Sequence, residues 1–234
     1  MPVGIICNAL AIAAGGVLGT VFGRKLSPEF KEKLNLIFGV CAMGIGISSI
    51  VLMKNMPAVI LAMILGVITG IVTRLGQRIE SAGRKLASLI PGKAGRTDDA
   101  LLVTAVVLFC VSGTGIYGSI VSGISGDHSI LIAKSILDLF TAMVFACSLG
   151  FVTALIAVPQ LVLFLLLFFC ARLIFPLTTP EMIDDFKACG GLILLATGLR
   201  IAKIRDFPVA DMIPAMLWVW PLSWAWSAWI LPLL

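Results

Sequence analysis

Long apolar runs separated by short polar segments dominate this chain. A helix needs about 20 apolar residues to cross the hydrocarbon core of a bilayer. The pattern therefore predicts an all-α fold, a polytopic transmembrane bundle of about eight spans, with residues 1–234 forming one transmembrane domain. The runs are Val3–Gly23, Leu34–Met53, Pro57–Thr73, Ala100–Val121, Ile130–Phe151, Val152–Ala171, Ala188–Leu199 and Pro208–Leu234.

Two of these boundaries need a further argument. The fifth and sixth runs are continuous and too long for one helix, so we place a turn at Gly150. The seventh run is short unless it borrows Phe186 and Lys187 before it and residues 200–204 after it. Basic side chains near a helix end can extend to the interface, so we keep this run as a span.

Basic residues fall mainly on one side of this arrangement. With the N-terminus outside, the inner loops hold 13 of the 17 Lys and Arg residues. Such a bias marks the cytoplasmic side. It predicts a bacterial inner membrane protein with both termini periplasmic. The longest loop, residues 74–99, is then a basic cytoplasmic connector lying against anionic lipid, with a docking site for a partner as the alternative.

Composition and motifs exclude several other classes. The chain is 60% hydrophobic and 12% charged, whereas soluble domains carry roughly 25% charged residues. The net charge of +5 belongs to loops between spans, so we expect no nucleic acid partner. The six cysteines form no CxxC pair and there is one histidine, His128, so we expect no metal and no cofactor. No catalytic motif is visible, which predicts that the chain is not an enzyme.

Small residues recur at the spacing that lets helix backbones touch in lipid. Packing within one bundle and contact in a homo-oligomer, with a dimer favoured, both stay open. The helix-packing glycines are Gly15, Gly19 and Gly23 in the first span, Gly66 and Gly70 in the third, and Gly115 in the fourth.

A faint internal repeat links two glycine pairs. Gly39 and Gly46 in the second run are echoed by Gly191 and Gly198 in the seventh. Each pair precedes a short polar link and a proline that opens the next span. Because the second span runs outward and the seventh inward, the pattern indicates a candidate inverted repeat, a common transporter design.

The fifth span contains two charged residues one helical turn apart. Asp138 lies deep in the span, and Lys134 can reach it as an i, i+4 partner. Ser135 and Thr141 extend the polar stripe. Membrane carboxylates usually face a bundle interior or an aqueous cavity. The pair therefore either lines a solute or ion path or is a structural ion pair, and Lys134 could instead extend to the interface.

Three further polar residues lie in or near spans. Asn8 is alone in the first span at a depth similar to that of Asp138, so it could bond to that residue or join helices. Pro159 is expected to break the sixth span, leaving Gln160 to satisfy a freed carbonyl or face a cavity. Asp211 is close to Arg205 and Arg200, which predicts a cap or an interfacial salt bridge.

Three stretches resemble a known family. They are NALAIAAGGVLG (residues 8–19), GSIVSGISGD (118–127) and AKSILD (133–138). They resemble the YqgA/YdfK-type bacterial inner membrane proteins, classed as a domain of unknown function, over nearly the full length. The family pattern has a glycine where this chain has Leu139, which leaves the closeness of helix packing there open. The resemblance implies an inner-membrane location and a transport role.

Three functional hypotheses follow. The first is a small secondary transporter or channel for an unknown small solute or ion, with Asp138, Lys134, Ser135, Asn8 and Gln160 on its path. The second is a non-transporting membrane scaffold or partner-binding protein in which these residues are structural. The third is an enzyme acting on membrane lipid. A water-accessible cavity at Asp138 would favour the transporter or channel. A dry and fully paired cluster would favour the scaffold, and a lateral opening holding a lipid headgroup would favour the enzyme.

Overall fold

The regular elements of the described chain are all helices. The structure, a computed structural model, describes residues 1–22, 27–79, 81, 85, 99–110, 112–174 and 178–233. The α-helices are α1 (Val3–Phe22), α2 (Pro28–Ile50), α3 (Met56–Val72), α4 (Asp99–Cys110), α5 (Gly113–Ser125), α6 (Ser129–Leu149), α7 (Val152–Leu155), α8 (Ala157–Ile174), α9 (Pro180–Ile201), α10 (Val209–Met212) and α11 (Ala215–Ala225). A π-helical turn (Trp226–Ile230) and a 3-10 turn (Leu231–Leu233) follow α11.

Among the described residues, four helical stretches are long and apolar enough to cross a membrane by length and composition. They are Val3–Phe22, Leu108–Ser125, Ser129–Leu149 and Val152–Ala171. Two shorter apolar helices are Leu36–Ile50 and Met56–Val72. Large apolar side chains are exposed on these helices, as in Val158, Val162 and Leu166, which are each at least 59% exposed. Their spacing follows one face of α8, as expected where a helix faces lipid.

The seventh run is a full-length helix that begins before the predicted start. Helix α9 has 22 residues and begins at Pro180, eight residues before Ala188. The Thr179 side chain caps it by accepting from Met182 N, at 3.4 Å, and Pro180 is in the first turn. A capping threonine followed by proline is a helix start signal, and the hydrophobicity of the run alone missed it.

The fourth run contains a helix interruption that the apolar pattern did not predict. Ser112 is extended, with φ −67° and ψ 139°, and separates α4 from α5. Its side chain accepts a hydrogen bond from Gly115 N at 3.2 Å. Serine caps a new helix well, and the glycines of GTGIYG lower helix propensity. One apolar run therefore forms two half-helices.

The fifth and sixth runs are separate, as predicted. Helix α6 ends at Leu149, and Gly150 has φ +63°, a conformation that favours glycine. The expected break at Pro159 is wrong in position. The helix is interrupted at Ile156, and Pro159 lies in the first turn of α8. Proline fits there because a first-turn amide needs no helical acceptor.

The chain divides into two compact units. Unit 1 comprises Met1–Asn35 and Arg78–Leu173, and unit 2 comprises Leu36–Gln77 and Ile174–Leu234. In unit 1, α1 packs parallel to α6, because Gly4 faces Leu131 whereas Gly19 faces Met143. Helices α5 and α8 are also parallel, with Gly115 against Phe164 and Gly123 against Phe168.

In unit 2, α2 packs antiparallel to α9. Gly39 of α2 faces Gly198 of α9, and Gly46 faces Gly191. A Cβ on Gly46 would lie 2.7 Å from Gly191 O, and one on Gly191 would lie 2.6 Å from Gly46 O. The two glycine pairs noted in the sequence therefore form one close helix crossing.

The other close pair of unit 2 is α3 with α10 and α11. Gly66 packs on Ala215 and Gly70 on Asp211. In the last run, a turn at Ile213 and Pro214 separates α10 from α11. Proline cannot donate its backbone hydrogen bond, which explains an interruption at this point.

Candidate functional site

The centre of unit 1 contains a buried ion pair. Lys134 Nζ pairs with Asp138 Oδ2 one turn along α6. The two residues are only 3% and 6% exposed, so Lys134 does not extend to the interface. Asp138 lies nine residues after the start of α6, a rise of about 14 Å. The predicted i, i+4 pair is confirmed, and it is remote from both helix ends.

Two amide side chains join this pair from other helices. Asn8 Nδ2 of α1 donates to Asp138 Oδ2 at 2.8 Å. Gln160 Nε2 of α8 donates to Asn8 Oδ1 at 2.7 Å. Both amides are fully buried. Asn8, Lys134, Asp138 and Gln160 form what we call the Asp138 cluster, so Gln160 bonds to a side chain rather than to a freed carbonyl.

The helix interruption at Ser112 is next to this cluster. Cys110, the last residue of α4, is buried in one apolar cluster with Ala9, the neighbour of Asn8 in α1, and with Ala142, one turn beyond Asp138 in α6. On the other side of the interruption, Gly115 packs beneath the Phe164 ring. Phe164 is one turn beyond Gln160 on α8. The end of α4 and the start of α5 therefore lie beside the buried polar groups.

Two polar residues of the predicted stripe do not join the cluster. Ser135 Oγ donates to Leu131 O and Thr141 Oγ1 donates to Leu137 O, at 2.7 and 2.8 Å. Both hydroxyls are thus satisfied within α6. Ser135 is nevertheless buried, so it lies on the inner side of the helix without bonding to its charged neighbours.

Glycines bring the helices of unit 1 into backbone contact at this depth. A Cβ on Gly15 would overlap Leu139 O, and one on Gly19 would overlap Met143 O. The helices therefore pack closely at Leu139 although this chain has no glycine there, because Gly15 of α1 supplies the small residue at that contact. Gly23 lies outside the described residues, as does most of the 74–99 connector.

A second buried carboxylate, Asp185 of α9, was missed by the sequence analysis. Asp185 is fully buried and accepts four hydrogen bonds. Lys54 N and Asn55 N donate to Oδ1 at 2.8 and 2.9 Å. Asn55 Nδ2 and Ser223 Oγ donate to Oδ2 at 2.9 and 2.6 Å. We call these residues the Asp185 cluster.

The Asp185 cluster ties three parts of unit 2 together. Asn55 precedes α3, Asp185 is in α9 and Ser223 is in α11. The four donors to Asp185 are amides and a hydroxyl. The nearby ammonium group of Lys54 pairs instead with the neighbouring carboxylate of Asp184, at 3.9 Å. The Thr179-Pro180 start signal could have revealed it, since a helix that begins there carries Asp185 inward.

Asp211 has a capping role across helices. Its Oδ1 accepts from Gly76 N at 2.9 Å, in the helical turn of residues 75–79. Arg200 pairs with Asp206 instead, at 2.9 Å. The expected cap is therefore found, and the expected partner Arg200 is taken by another carboxylate. No group of three or more His, Cys, Asp or Glu within the described ranges is placed to hold a metal ion.

Comparison with known proteins gives a consistent result. A family model described as a protein of unknown function (DUF554) matches residues 3–224. The chain is 46% identical to the uncharacterized protein YqgA of Escherichia coli strain K12, over 98% of this chain and 99% of that protein. It is 27% identical to the uncharacterized membrane protein YdfK of Bacillus subtilis strain 168, over 92% of each. No solved structure matches.

Proposed function

The chain belongs to the DUF554 family of proteins of unknown function, and we propose that it is a small secondary transporter or channel whose solute path passes the Asp138 cluster. The observation that carries this proposal is the buried Lys134–Asp138 pair, joined to Asn8 and Gln160 beside an interrupted helix. Ionisable residues inside a membrane are expensive and mark ion or solute pathways in many proteins.

Stability alone is a weak reason for such a pair. Desolvating two charges offsets much of their attraction, and apolar residues of similar volume are often as stable. Lys134 and Asp138 are both nearly inaccessible, so this penalty applies to them. Packing alone does not require two charges at this depth, whereas a path for an ion or a polar solute does.

The interrupted helix supports the same proposal. Transporter sites are often formed where a discontinuous helix exposes backbone groups near the bilayer midplane. Helix α4 extends to Cys110 and α5 begins at Gly113, and Cys110 packs in one buried cluster with Ala142, one turn beyond Asp138. Non-helical backbone at membrane depth is tolerated where protein buries it or where it lines a cavity.

The competing proposal is that the cluster is structural, in a scaffold or partner-binding protein. It is favoured by the mutual pairing of Asn8, Lys134 and Asp138. Gln160 Oε1 argues against it, because this buried atom has no hydrogen-bond partner in the part of the chain described. A purely structural network is expected to satisfy its members.

Water access separates these two proposals. In a background without the six native cysteines, Ser135→Cys should react with a membrane-impermeant thiol reagent at least about tenfold faster than Ile136→Cys, because only the thiolate reacts and it needs water. Ile136 is the matched control, since it has the same depth but is 58% exposed on the lipid side. Labelling is quantified from each side of the membrane.

If the Ser135→Cys variant stays unlabelled from both sides in protein that elutes as a single species in detergent, the cluster is structural and the transport proposal fails. Equal labelling of the Ser135→Cys and Ile136→Cys variants would also contradict it, because access would not be specific to the cluster face.

We also propose eight spans in the bacterial inner membrane, with both termini periplasmic and an inverted repeat. Helix directions within each unit support this. Eight alternating spans require α1 parallel to α6 and α5 parallel to α8, as in unit 1. They also require α2 antiparallel to α9 and α3 antiparallel to α11, as in unit 2. The basic inner loops support the orientation.

Fusions at the C-terminus test this topology. A C-terminal alkaline phosphatase, which matures only in the periplasm, should be active, and a C-terminal fluorescent protein that matures only in the cytoplasm should stay dark. The same fusions placed after Gln77 should give the reverse pattern. A chain with seven spans would place the C-terminus in the cytoplasm. The C-terminal phosphatase would then be inactive and the C-terminal fluorescent protein bright.

Two further proposals concern the kind of activity and the oligomeric state. We propose transport rather than catalysis, since the Asp138 cluster has no nucleophile activated by a neighbouring base. We also propose a homo-oligomer, most simply a dimer, surrounded by lipid. The particle mass in nanodiscs measures the stoichiometry.

A further inference from the structure

Two buried polar atoms in unit 1 have no hydrogen-bond partner. Among the residues that the structure describes, Thr153 Oγ1 and Gln160 Oε1 are the buried side-chain oxygens and nitrogens that are left unpaired. Both residues are fully buried. Buried polar groups are nearly always paired, so each exception needs a specific explanation. Here both exceptions lie in one apolar stretch, Val152–Ala171.

The orientation of the Gln160 amide is fixed by its neighbours. A carboxylate can only accept, so Asn8 must present its amino group to Asp138 Oδ2, at 2.8 Å. Asn8 Oδ1 then accepts from Gln160 Nε2, at 2.7 Å. Turning the Gln160 amide over would place two carbonyl oxygens against each other. Gln160 therefore presents an acceptor, Oε1, on the side away from Asn8.

The Thr153 hydroxyl is unpaired because of the local backbone. Other helical threonines of this chain, such as Thr141 and Thr197, donate to the carbonyl four residues earlier, at 2.8 Å. For Thr153 that carbonyl belongs to Leu149, the last residue of α6, and the chain turns at Gly150 with φ +63°. The turn therefore leaves the Thr153 hydroxyl without the acceptor that a continuous helix would supply.

Thr153 and Gln160 lie on the same face of the sixth run. They are seven residues apart in sequence, about two helical turns or 10 Å along the axis. Ile156 between them and Phe164 beyond them are also fully buried, whereas Val158 on the opposite side is 62% exposed. In the proposed topology this run begins at the cytoplasmic side. The two unpaired oxygens then mark a line from that side to the Asp138 cluster.

We propose that this face is the cytoplasmic half of the solute path, and that the solute is a small uncharged molecule that donates hydrogen bonds to Gln160 Oε1 and Thr153 Oγ1. The inference rests on the proposed transport function and specifies its substrate class. A small amide or polyol has the N–H or O–H groups that Gln160 Oε1 lacks as partners. A solute that can only accept leaves this oxygen unpaired, and a site built for hydrogen bonding rejects such a solute.

The charges beside this face favour an uncharged solute. Lys134 and Asp138 pair with each other, and the side chains of Asn8, Gln160 and Thr153 carry no charge. An ion that entered this neutral group would bring one net charge to a buried position, which is costly within a membrane. A neutral hydrogen-bond donor meets no such penalty.

Solute permeation tests the inference directly. The full-length protein is reconstituted into liposomes, and their swelling after solute addition is followed by light scattering. Urea and glycerol, which both have several donors, should enter faster than they enter protein-free liposomes. Trimethylamine N-oxide, which has no net charge and no donor, should enter no faster than it enters protein-free liposomes.

Thr153→Val is the most direct variant, since valine has nearly the same shape and removes only the unpaired hydroxyl. We expect the entry of urea and glycerol to slow at least about threefold, the effect of one lost hydrogen bond, with a melting temperature equal to or above that of the wild type. Thr197→Val is the matched control, because its hydroxyl bonds within α9 of unit 2, and its permeation should equal that of the wild type. Gln160→Met should slow entry further, because it removes the acceptor beside the cluster.

The outcomes separate this inference from the proposed function. Wild-type permeation in the Thr153→Val variant overturns the inference, and a lower melting temperature with that result would assign the hydroxyl to a structural water only. Entry of trimethylamine N-oxide as fast as urea overturns it equally. If Gln160→Met does not fold, Thr153→Val decides alone.

A wild type that admits neither urea nor glycerol, with the Ser135→Cys variant labelled by the thiol reagent, overturns the substrate class and leaves a path for another solute. A Ser135→Cys variant that stays unlabelled removes the path itself and the inference with it.

Discussion

Asp185→Ala is expected to lower the free energy of unfolding by about 3 kcal/mol or more. The substitution leaves four donors without their acceptor: Lys54 N, Asn55 N, Asn55 Nδ2 and Ser223 Oγ. Because Asp185 is fully buried, water replaces those bonds poorly. The loss corresponds to a melting temperature lower by roughly 6–12 °C for a chain of this size.

Tryptophan fluorescence is a suitable measurement, because Trp220 stacks on Phe186, the residue after Asp185, at 4.7 Å between ring centroids. Asp184→Ala is the matched control. Its side chain is 29% exposed and its ion-pair contact is at 3.9 Å, so we expect a change of no more than about 0.5 kcal/mol. Similar melting temperatures for the two variants would show that the Asp185 cluster does not hold unit 2 together.

Gly15→Ala is expected to destabilise the protein by about 2–3 kcal/mol, through overpacking between α1 and α6. A methyl group at this position would overlap Leu139 O and lie 3.0 Å from Ala142 Cβ. The obstacle is a helix backbone, which cannot move aside as a flexible side chain can. The two helices must therefore separate, and Asn8 would be drawn away from Asp138.

Gly44→Ala is the control for this substitution, since a Cβ at Gly44 in α2 meets no atom within 4 Å. Alanine favours helix over glycine, so Gly44→Ala should melt at or slightly above the wild-type temperature. Thermal melting in detergent measures both variants. A Gly15→Ala protein as stable as Gly44→Ala would mean that α1 and α6 do not approach as closely as the structure describes.

The features predicted well from the sequence depend on short stretches of chain. The apolar runs identified a membrane protein, because crossing a bilayer is a matter of length and hydrophobicity within one helix. The turn at Gly150 and the Lys134–Asp138 pair were also predicted, since a positive φ and an i, i+4 contact involve near neighbours in sequence.

Errors arose where a local signal was weaker than hydrophobicity. The interruption at Ser112 lies inside an apolar run, and its cap is a single serine. The start of α9 was placed eight residues late because Glu181, Asp184 and Asp185 are polar. A helix can carry such residues when other elements satisfy them, which the apolar pattern does not reveal.

The sequence by itself determined the all-helical membrane class and the Lys134–Asp138 pair, which lies within a single helix. Only the tertiary structure decided which distant groups meet that pair and which groups surround Asp185. Asn8 is 130 residues from Asp138 and 152 residues from Gln160, and Asn55 is 130 residues from Asp185. Such bonds depend on which helices pack together and at what depth. That choice is made by backbone contacts at glycines, which are frequent on many helix faces of this chain.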